Sequence, residues 1–116
     1  MSRFIEKEDC FLDNQTGFEW SKENFGPIQY ENIIYSIIPI GWKIPNIKEL
    51  FTITDHDLFR PATSLPEMKP TGYWSTNPQV CTSDDVWIVN FSYGGVLSYM
   101  TRYNCYIRYI KKSTCQ

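Results

Sequence analysis

Apolar and polar positions alternate near the start of the chain, in the way that a half-buried strand requires. Phe18-Glu19-Trp20 shows this alternation clearly. Before it, Cys10-Phe11-Leu12 runs into the turn-forming residues 13–17. The pattern predicts a strand, a turn and a second strand within residues 3–20.

A helical spacing replaces this alternation between Pro27 and Pro39. Apolar residues recur there at i, i+3, i+4, i+7 and i+8, and they are Tyr30, Ile33, Ile34, Ile37 and Ile38. This spacing is typical of one face of an amphipathic helix, and the two prolines suit its ends. We therefore expect the first helix in this segment.

A second, shorter helix is predicted after Pro45. Asn46 can cap its N-terminus, and Glu49 follows at the position that completes a capping box. The apolar residues expected on its buried face are Ile47, Leu50 and Phe51.

The remainder of the chain is a long polar segment followed by short strands. Residues 54–72 contain three prolines and no clear period, which indicates a long ordered loop. Strands are predicted at residues 73–76, 86–91, 96–100 and 105–110, with a hairpin turn at 92–95. The order of elements predicts one α+β domain over residues 1–116, with an antiparallel sheet, two short helices and long loops.

Composition narrows the class of partner. A length of 116 residues, 42% of them hydrophobic, suits one globular domain with its own core. The aromatic fraction of 16% is high enough to serve both a core and a binding surface. The net charge is −2, and basic residues are scattered. Nucleic acid, anionic membranes and sulfated glycans are therefore disfavoured as partners.

The ends and apolar stretches of the chain bear on its location. No apolar stretch has the length of a membrane span, and residues 1–9 lack the apolar centre of a signal peptide. If Met1 is the natural start, we expect a cytoplasmic protein. Otherwise we expect a secreted protein or a component of a phage particle.

Four cysteines, Cys10, Cys81, Cys105 and Cys115, allow three pairings, and the sequence does not choose among them. None forms a C-x-x-C pair, which argues against a zinc site or a redox motif. In a cytoplasmic protein we expect free and mostly buried thiols.

Short motifs with a defined order extend from Arg3 to Ile110. They are Arg3-Phe4, Asp13, Thr16-Gly17, Trp20, Trp42-Lys43-Ile44-Pro45, Glu49-Leu50, Tyr73-Trp74-Ser75-Thr76, Asn90-Phe91, Gly94 and Arg108. In this order they resemble the C-terminal domain family of the Legionella collagen-like adhesin, which occurs in bacteria and phages. Lys43 departs from the family, which usually has Arg there. The resemblance implies a C-type-lectin-like fold and ligand binding through surface loops.

The resemblance also implies how the domain closes. Domains of this fold join their termini, so the strand near Phe4-Ile5 should pair with residues 106–110. The predicted core residues are Trp20, Trp42, Ile44, Leu50, Phe51, Trp74, Trp87, Val89 and Phe91.

Metal and catalytic chemistry were considered at the sole histidine, His56, which stands between Asp55 and Asp57. These residues suit a metal or an acid–base group, but a solvated polar loop is the preferred interpretation. Lectins of this fold that bind sugar through calcium carry carboxylates beside two asparagines. Asn77 and Asn90 lack them here. We expect no metal, no cofactor and no enzymatic activity.

The function expected from these observations is a non-catalytic binding module that recognises a protein partner through its loops. A phage-encoded inhibitor of a host protein is one form of this hypothesis. The alternative is an adhesion domain that binds a glycan or a cell-surface ligand, and a homo-oligomer also stays open. The residues predicted to bind the partner are Asp57, Phe59, Arg60, Asp84, Asp85, Arg102 and Tyr103.

Overall fold

The computed structural model describes residues 3–35, 38–78 and 84–112. Its strands are β1 (Phe4–Glu6), β2 (Cys10–Asp13), β3 (Phe18–Ser21), β4 (Phe25–Gln29), β5 (Gly72–Pro78), β6 (Asp85–Asn90), β7 (Gly95–Met100), β8 (Asn104–Ile107) and β9 (Ile110–Lys112). A 3-10 helix covers Tyr30–Tyr35, and the α-helix α1 covers Ile47–Phe51. The described residues form a mostly β structure with little helix, as a small α+β domain can have.

The first sheet has the strand order β1-β2-β3-β9. Gly17 adopts a left-handed φ of 80° in the turn after β2, which suits a residue without a side chain. The predicted pairing of the terminal strands is wrong, because β1 pairs with β2 and β9 pairs with β3. Two tight turns join β1, β2 and β3 as a meander, so β3 presents the free edge to which β9 adds.

The second sheet has the order β4-β8-β5-β6-β7. Its pairs are antiparallel except for β5 and β8, which run parallel. The predicted strand over residues 105–110 is interrupted at Arg108 and Tyr109, where the chain leaves this sheet as β8 and enters the other as β9. The hairpin of β6 and β7 is regular from Asp85 opposite Met100 to Asn90 opposite Gly95.

The first predicted helix is much shorter than its spacing suggests. Pro27 lies inside β4, at the edge of the second sheet, where a missing N–H does not disrupt pairing. Among the described residues of this segment, the helical structure is the 3-10 helix at Tyr30–Tyr35. The side chain of Ile34 and all of Ile37 lie outside the described residues. The start of the predicted helical segment is a strand instead, and Trp74 Nε1 donates a 2.8 Å hydrogen bond to the Ile28 oxygen, which holds it extended.

The second helix is confirmed, with its cap. The Asn46 side chain accepts from the Glu49 N–H at 2.8 Å, and the Glu49 side chain accepts from the Asn46 N–H at 2.9 Å. A further bond from the Ile47 N–H to Asn77 Oδ1, 2.7 Å long, ties the helix to β5. These bonds satisfy N–H groups that a helix start leaves free, which stabilises even so short a helix.

The core consists of two clusters of buried apolar side chains. Of the predicted core residues, those confirmed as buried are Trp20, Ile44, Leu50, Trp74, Val89 and Phe91. Trp42 and Trp87 are only partly buried. The prediction for Phe51 is wrong, since its side chain is 41% exposed at the end of α1. Within the described ranges, none of the helices has the length and hydropathy of a membrane span.

The loop predicted over residues 54–72 is confirmed as irregular up to β5, yet it contributes to the core. Ala62, Leu65 and Met68 are all buried. Because these side chains fix the loop from inside, its outward residues stand on a supported backbone.

Candidate functional site

The first half of the long loop is hydrogen-bonded to the turn of the β6–β7 hairpin. The Ala62 N–H donates to the Phe91 oxygen at 2.7 Å, and the Arg60 N–H donates to the Ser92 oxygen at 3.2 Å. The loop also closes on itself, since the Asp55 N–H donates to the Ala62 oxygen at 2.7 Å. Loop and turn therefore present their outer side chains from one braced unit.

His56 makes a further link between loop and turn. Its Nε2 lies 3.1 Å from the Gly94 oxygen, and since a carbonyl can only accept, Nε2 must carry the proton. A Cβ on Gly94 would lie 2.9 Å from the imidazole, so there is little space for a side chain. The φ of 85° at Gly94 is also in the left-handed region that favours glycine. The Asp57 N–H meanwhile donates to Asp55 Oδ1 at 3.0 Å.

The Asp55-His56-Asp57 triplet thus serves the loop's own structure. Among the described residues, no group of three or more His, Cys, Asp or Glu side chains is placed to hold a metal ion. The two asparagines considered for calcium also have structural partners: Asn77 Oδ1 accepts from Ile47, and Asn90 Oδ1 accepts from the Ser92 N–H at 2.9 Å.

Large apolar side chains are exposed around this braced unit. Phe51 is 41% exposed, Leu58 40%, Phe59 71% and Tyr93 48%. The Phe51 ring lies 5.9 Å from the His56 ring, which connects the end of α1 to the loop. We name this region the loop–turn surface, and its residues are Phe51, His56, Leu58, Phe59, Arg60 and Tyr93.

Arg60 gives the loop–turn surface a positive charge. Its guanidinium carbon lies 5.9 Å from the centre of the Phe59 ring, and its φ of 51° is left-handed. Such a backbone is uncommon for a residue with a side chain. Asp57 adds an exposed negative charge nearby in the chain. No ion pair of the described residues uses Arg60 or Asp57, so both charges are available to a partner.

The other four predicted residues lie at the opposite end of the same hairpin. The Asp84 oxygen accepts from the Thr101 N–H at 2.8 Å, and Asp85 pairs with Met100. Arg102 is exposed, and Tyr103 is 49% exposed. These residues form a second group, which we name the open-end group: Asp84, Asp85, Arg102 and Tyr103.

The predicted set is therefore split in two. The open-end group lies beside the start of β6 and the end of β7, whereas Asp57, Phe59 and Arg60 lie at the turn that joins the two strands. A strand of this length spans roughly 17 Å. Phe59 and Arg60 were predicted from the sequence, but three further residues of the loop–turn surface, Phe51, Leu58 and Tyr93, were not. The position of Tyr93, directly before two glycines, does indicate exposure, because a side chain in a tight hairpin turn points outward.

The buried cysteines carry no sign of catalytic activation. Burial raises the pKa of the Cys105 thiol to about 12. Burial, together with Glu19 and Asp9, raises that of Cys10 to about 11. Both are free thiols, and at neutral pH both stay protonated, whereas a nucleophilic cysteine needs a lowered pKa. Cys81 and Cys115 lie outside the described residues.

Comparison with known families gives one match. A family model described as Lcl C-terminal domain matches residues 9–111, which is nearly the whole chain. Comparisons with curated proteins and with solved structures found no significant match.

Proposed function

Because the chain belongs to the Lcl C-terminal domain family, the family that its motifs resemble, we propose that it is a non-catalytic recognition domain. Its partner is a protein, and the loop–turn surface holds it. The family supports an adhesin-like role at the coarse level. The finer proposal has two parts: the C-type-lectin-like fold rests on the family resemblance, and the protein partner rests on the chemistry of this surface.

The observation that carries the proposal is the exposure of four large apolar side chains of the loop–turn surface, one of which, Phe59, lies beside Arg60. Phe59 alone is 71% exposed, although the described part of the chain has a well-filled core. Contiguous apolar surface of this kind marks interaction sites, and aromatic residues and arginine are the usual anchors of protein interfaces. The braced backbone lowers the entropy that binding has to overcome.

A domain can inhibit another protein by covering part of its surface, which needs no catalytic group. Inhibition of a host protein by a phage-encoded domain is therefore consistent with this proposal. The alternative partner is a glycan or another cell-surface ligand, and family membership supports it. Exposed aromatic rings such as Phe59 and Tyr93 also suit the faces of sugars. The acidic open-end group and the net charge of −2 disfavour sulfated glycans under either form.

The test places a photo-crosslinking phenylalanine analogue at Phe59 in one variant and at Tyr93 in another. Matched controls carry it at Ile40, which is fully exposed outside the loop–turn surface, and at Tyr103 in the open-end group. Bacterial lysate and a glycan array are probed in parallel. We expect the same protein adduct from positions 59 and 93, and its loss when unlabelled parent is added in excess.

Three results contradict the proposal. They are equal labelling from Ile40, competition by a Phe59→Ser/Arg60→Ser variant as efficient as by the parent, and binding to neutral glycans without any protein adduct. The last of these favours the glycan alternative.

A further inference from the structure

A concave site lies where the chain crosses between the two sheets, away from the loop–turn surface. The link from β3 to β4 runs beside the link from β8 to β9: the Ser21 N–H donates to the Tyr109 oxygen at 2.9 Å, and the Tyr109 N–H donates to Ser21 Oγ at 3.0 Å. Beside these links opens a cleft of about 400 Å³. It shares no residue with the loop–turn surface.

Aromatic side chains form part of the cleft wall. Phe25 and Tyr109 are a tilted pair with ring centres 6.1 Å apart, and Trp42 also lines the cleft. Phe25 is 39% exposed. The Trp42 ring already holds one cation, since Lys111 Nζ lies 4.6 Å from its centre. Lys111 does not line the cleft.

Carboxylates complete the lining. Glu8, Asp9 and Glu23 border the cleft, and all are exposed. The basic side chain among the lining residues is Lys22, whose Nζ is already 3.0 Å from Glu6. Among the ion pairs of the described residues, none uses these three carboxylates. The lining is therefore negative and has charge to offer a ligand.

Tyr109 contributes a largely buried aromatic side chain to the cleft lining. The residue is only 8% exposed, and its hydroxyl is buried without a hydrogen-bond partner among the described residues. Buried hydroxyl groups are nearly always satisfied, and the exceptions need an explanation. Burial raises the pKa of Tyr109, so its hydroxyl adds no charge to the lining.

We propose that this cleft binds a basic side chain, an arginine or a lysine, of a peptide. Aromatic faces attract a guanidinium or an ammonium through their quadrupoles. Carboxylates at the rim pair with its charge. A neutral side chain loses the charge pairing and the cation–π attraction, and the carboxylates repel an anionic one.

The test is an NMR titration of the intact, nitrogen-labelled chain with N-acetyl-arginine amide. The control probe is N-acetyl-citrulline amide, which has nearly the same shape but no charge. We expect saturable shifts of the Trp42 indole and of the Phe25 amide with the arginine probe only. For a ligand this small, the dissociation constant should be on the order of 1 mM.

Variants then test which carboxylates of the cleft pair with the charge of the arginine probe. Glu8→Gln and Glu23→Gln should each weaken arginine binding by about two- to fivefold, as loss of one exposed pair does. Glu31→Gln, an exposed carboxylate on the 3-10 helix that does not line the cleft, is the matched control and should leave the dissociation constant unchanged. Asp9 is not substituted, because its carboxylate is hydrogen-bonded to the Cys10 thiol. All of these variants change exposed carboxylates, and unchanged amide spectra report that they fold.

The proposal is overturned if the arginine and citrulline probes shift the same signals equally, or if no signal saturates. It is also overturned if the shifts fall on Phe59 and Tyr93 instead of on the cleft. None of these outcomes affects the photo-crosslinking test, so the two sites succeed or fail separately.

Discussion

The guanidinium of Arg108 donates a hydrogen bond from Nε to the main-chain oxygen of Ser21, although 87 positions separate the two residues. Arg108 has no exposed surface, and its other contacts are main-chain, amide and thioether acceptors: Lys22 O, Asn24 Oδ1 and Met68 Sδ. The ion pairs of the described residues do not include it. Burial lowers the pKa of Arg108 to about 10, which leaves it charged at neutral pH.

Arg108 therefore fastens the two crossing links between the sheets, and replacing it should be costly. Arg108→Ala leaves the Ser21 oxygen without its donor and opens a cavity, so we expect a loss of about 3–5 kcal/mol in the free energy of unfolding. Arg108→Lys keeps the charge but not the planar fork, and should lose less. Urea denaturation measures both. Arg102→Ala, at an exposed site, is the control and should stay within about 0.5 kcal/mol of the parent. An Arg108→Ala variant as stable as the parent would falsify this role.

The sequence predicted α1 but not the break beside Arg108, and the reason is physical. The capping box of Asn46 and Glu49 is a local interaction within four residues, so local pattern suffices to find it. Nothing near Arg108 shows that its neighbours along the chain enter different sheets. That outcome depends on Ser21 and Asn24, which are remote in sequence.

The same distinction explains the binding residues. Phe59 and Arg60 stand out as apolar and charged residues within a polar loop, so the sequence indicates them directly. Phe51 does not, because helical spacing places it on the same face as Ile47. It is exposed only because α1 ends there, and the end of a five-residue helix is decided by what packs around it. The predicted binding residues fall into two groups because of how the strands pair, and strand pairing cannot be determined from the local sequence.

Acid should destabilise the domain partly through Asp13. Burial by itself would raise the pKa of Asp13, but hydrogen bonds from Arg3, the Gln15 N–H and the Thr16 hydroxyl, with the charge of Arg3, hold it below its ordinary value. The unfolded carboxyl titrates near pH 3.9. A lowered pKa in the folded state stabilises the fold above that pH, and this contribution is lost as pH falls through the folded pKa.

We therefore expect Asp13→Asn to be less stable than the parent at pH 7, by about 3 kcal/mol. The difference should narrow when denaturation is repeated at steps from pH 5 towards pH 2. Glu6→Gln is the control, because Glu6 is 70% exposed and its pair with Lys22 contributes little. A difference between parent and Asp13→Asn that stays constant over this range would show that Asp13 does not titrate with folding.

The buried thiols should be inert in the folded protein. Cys10 and Cys105 are both about 1–2% exposed, and burial raises both pKa values above 10. In a variant with serine at positions 81 and 115, we expect a disulfide reagent at pH 8 to label neither thiol until urea unfolds the chain. Rapid labelling without denaturant would contradict the burial of these residues.

Divalent cations should leave the melting temperature unchanged. The two asparagine oxygens that a calcium lectin would use are Asn77 Oδ1 and Asn90 Oδ1, and both accept main-chain N–H groups here. Calcium needs six or more oxygen ligands. Because these two oxygens already accept hydrogen bonds, they are not free to serve as ligands. Thermal melting with calcium, with zinc and with a chelator measures this, and a shift of several degrees on chelation would overturn the expectation.

The last prediction concerns how binding energy is divided between the two ends of the β6–β7 hairpin. Residues that dominate a protein interface cluster near its centre, and the loop–turn surface and the open-end group lie at opposite ends of β6. For a partner captured through Phe59, Phe59→Ala and Arg60→Ala should each weaken binding by about 1–2 kcal/mol, because the two side chains contact one another and share the exposed patch. Arg102→Ala and Tyr103→Ala should change the binding free energy by less than about 0.5 kcal/mol.

Titration calorimetry measures the binding of all four variants, and circular dichroism checks their folding. If Tyr103→Ala costs as much as Phe59→Ala, the partner spans the whole hairpin, and the two groups form one interface.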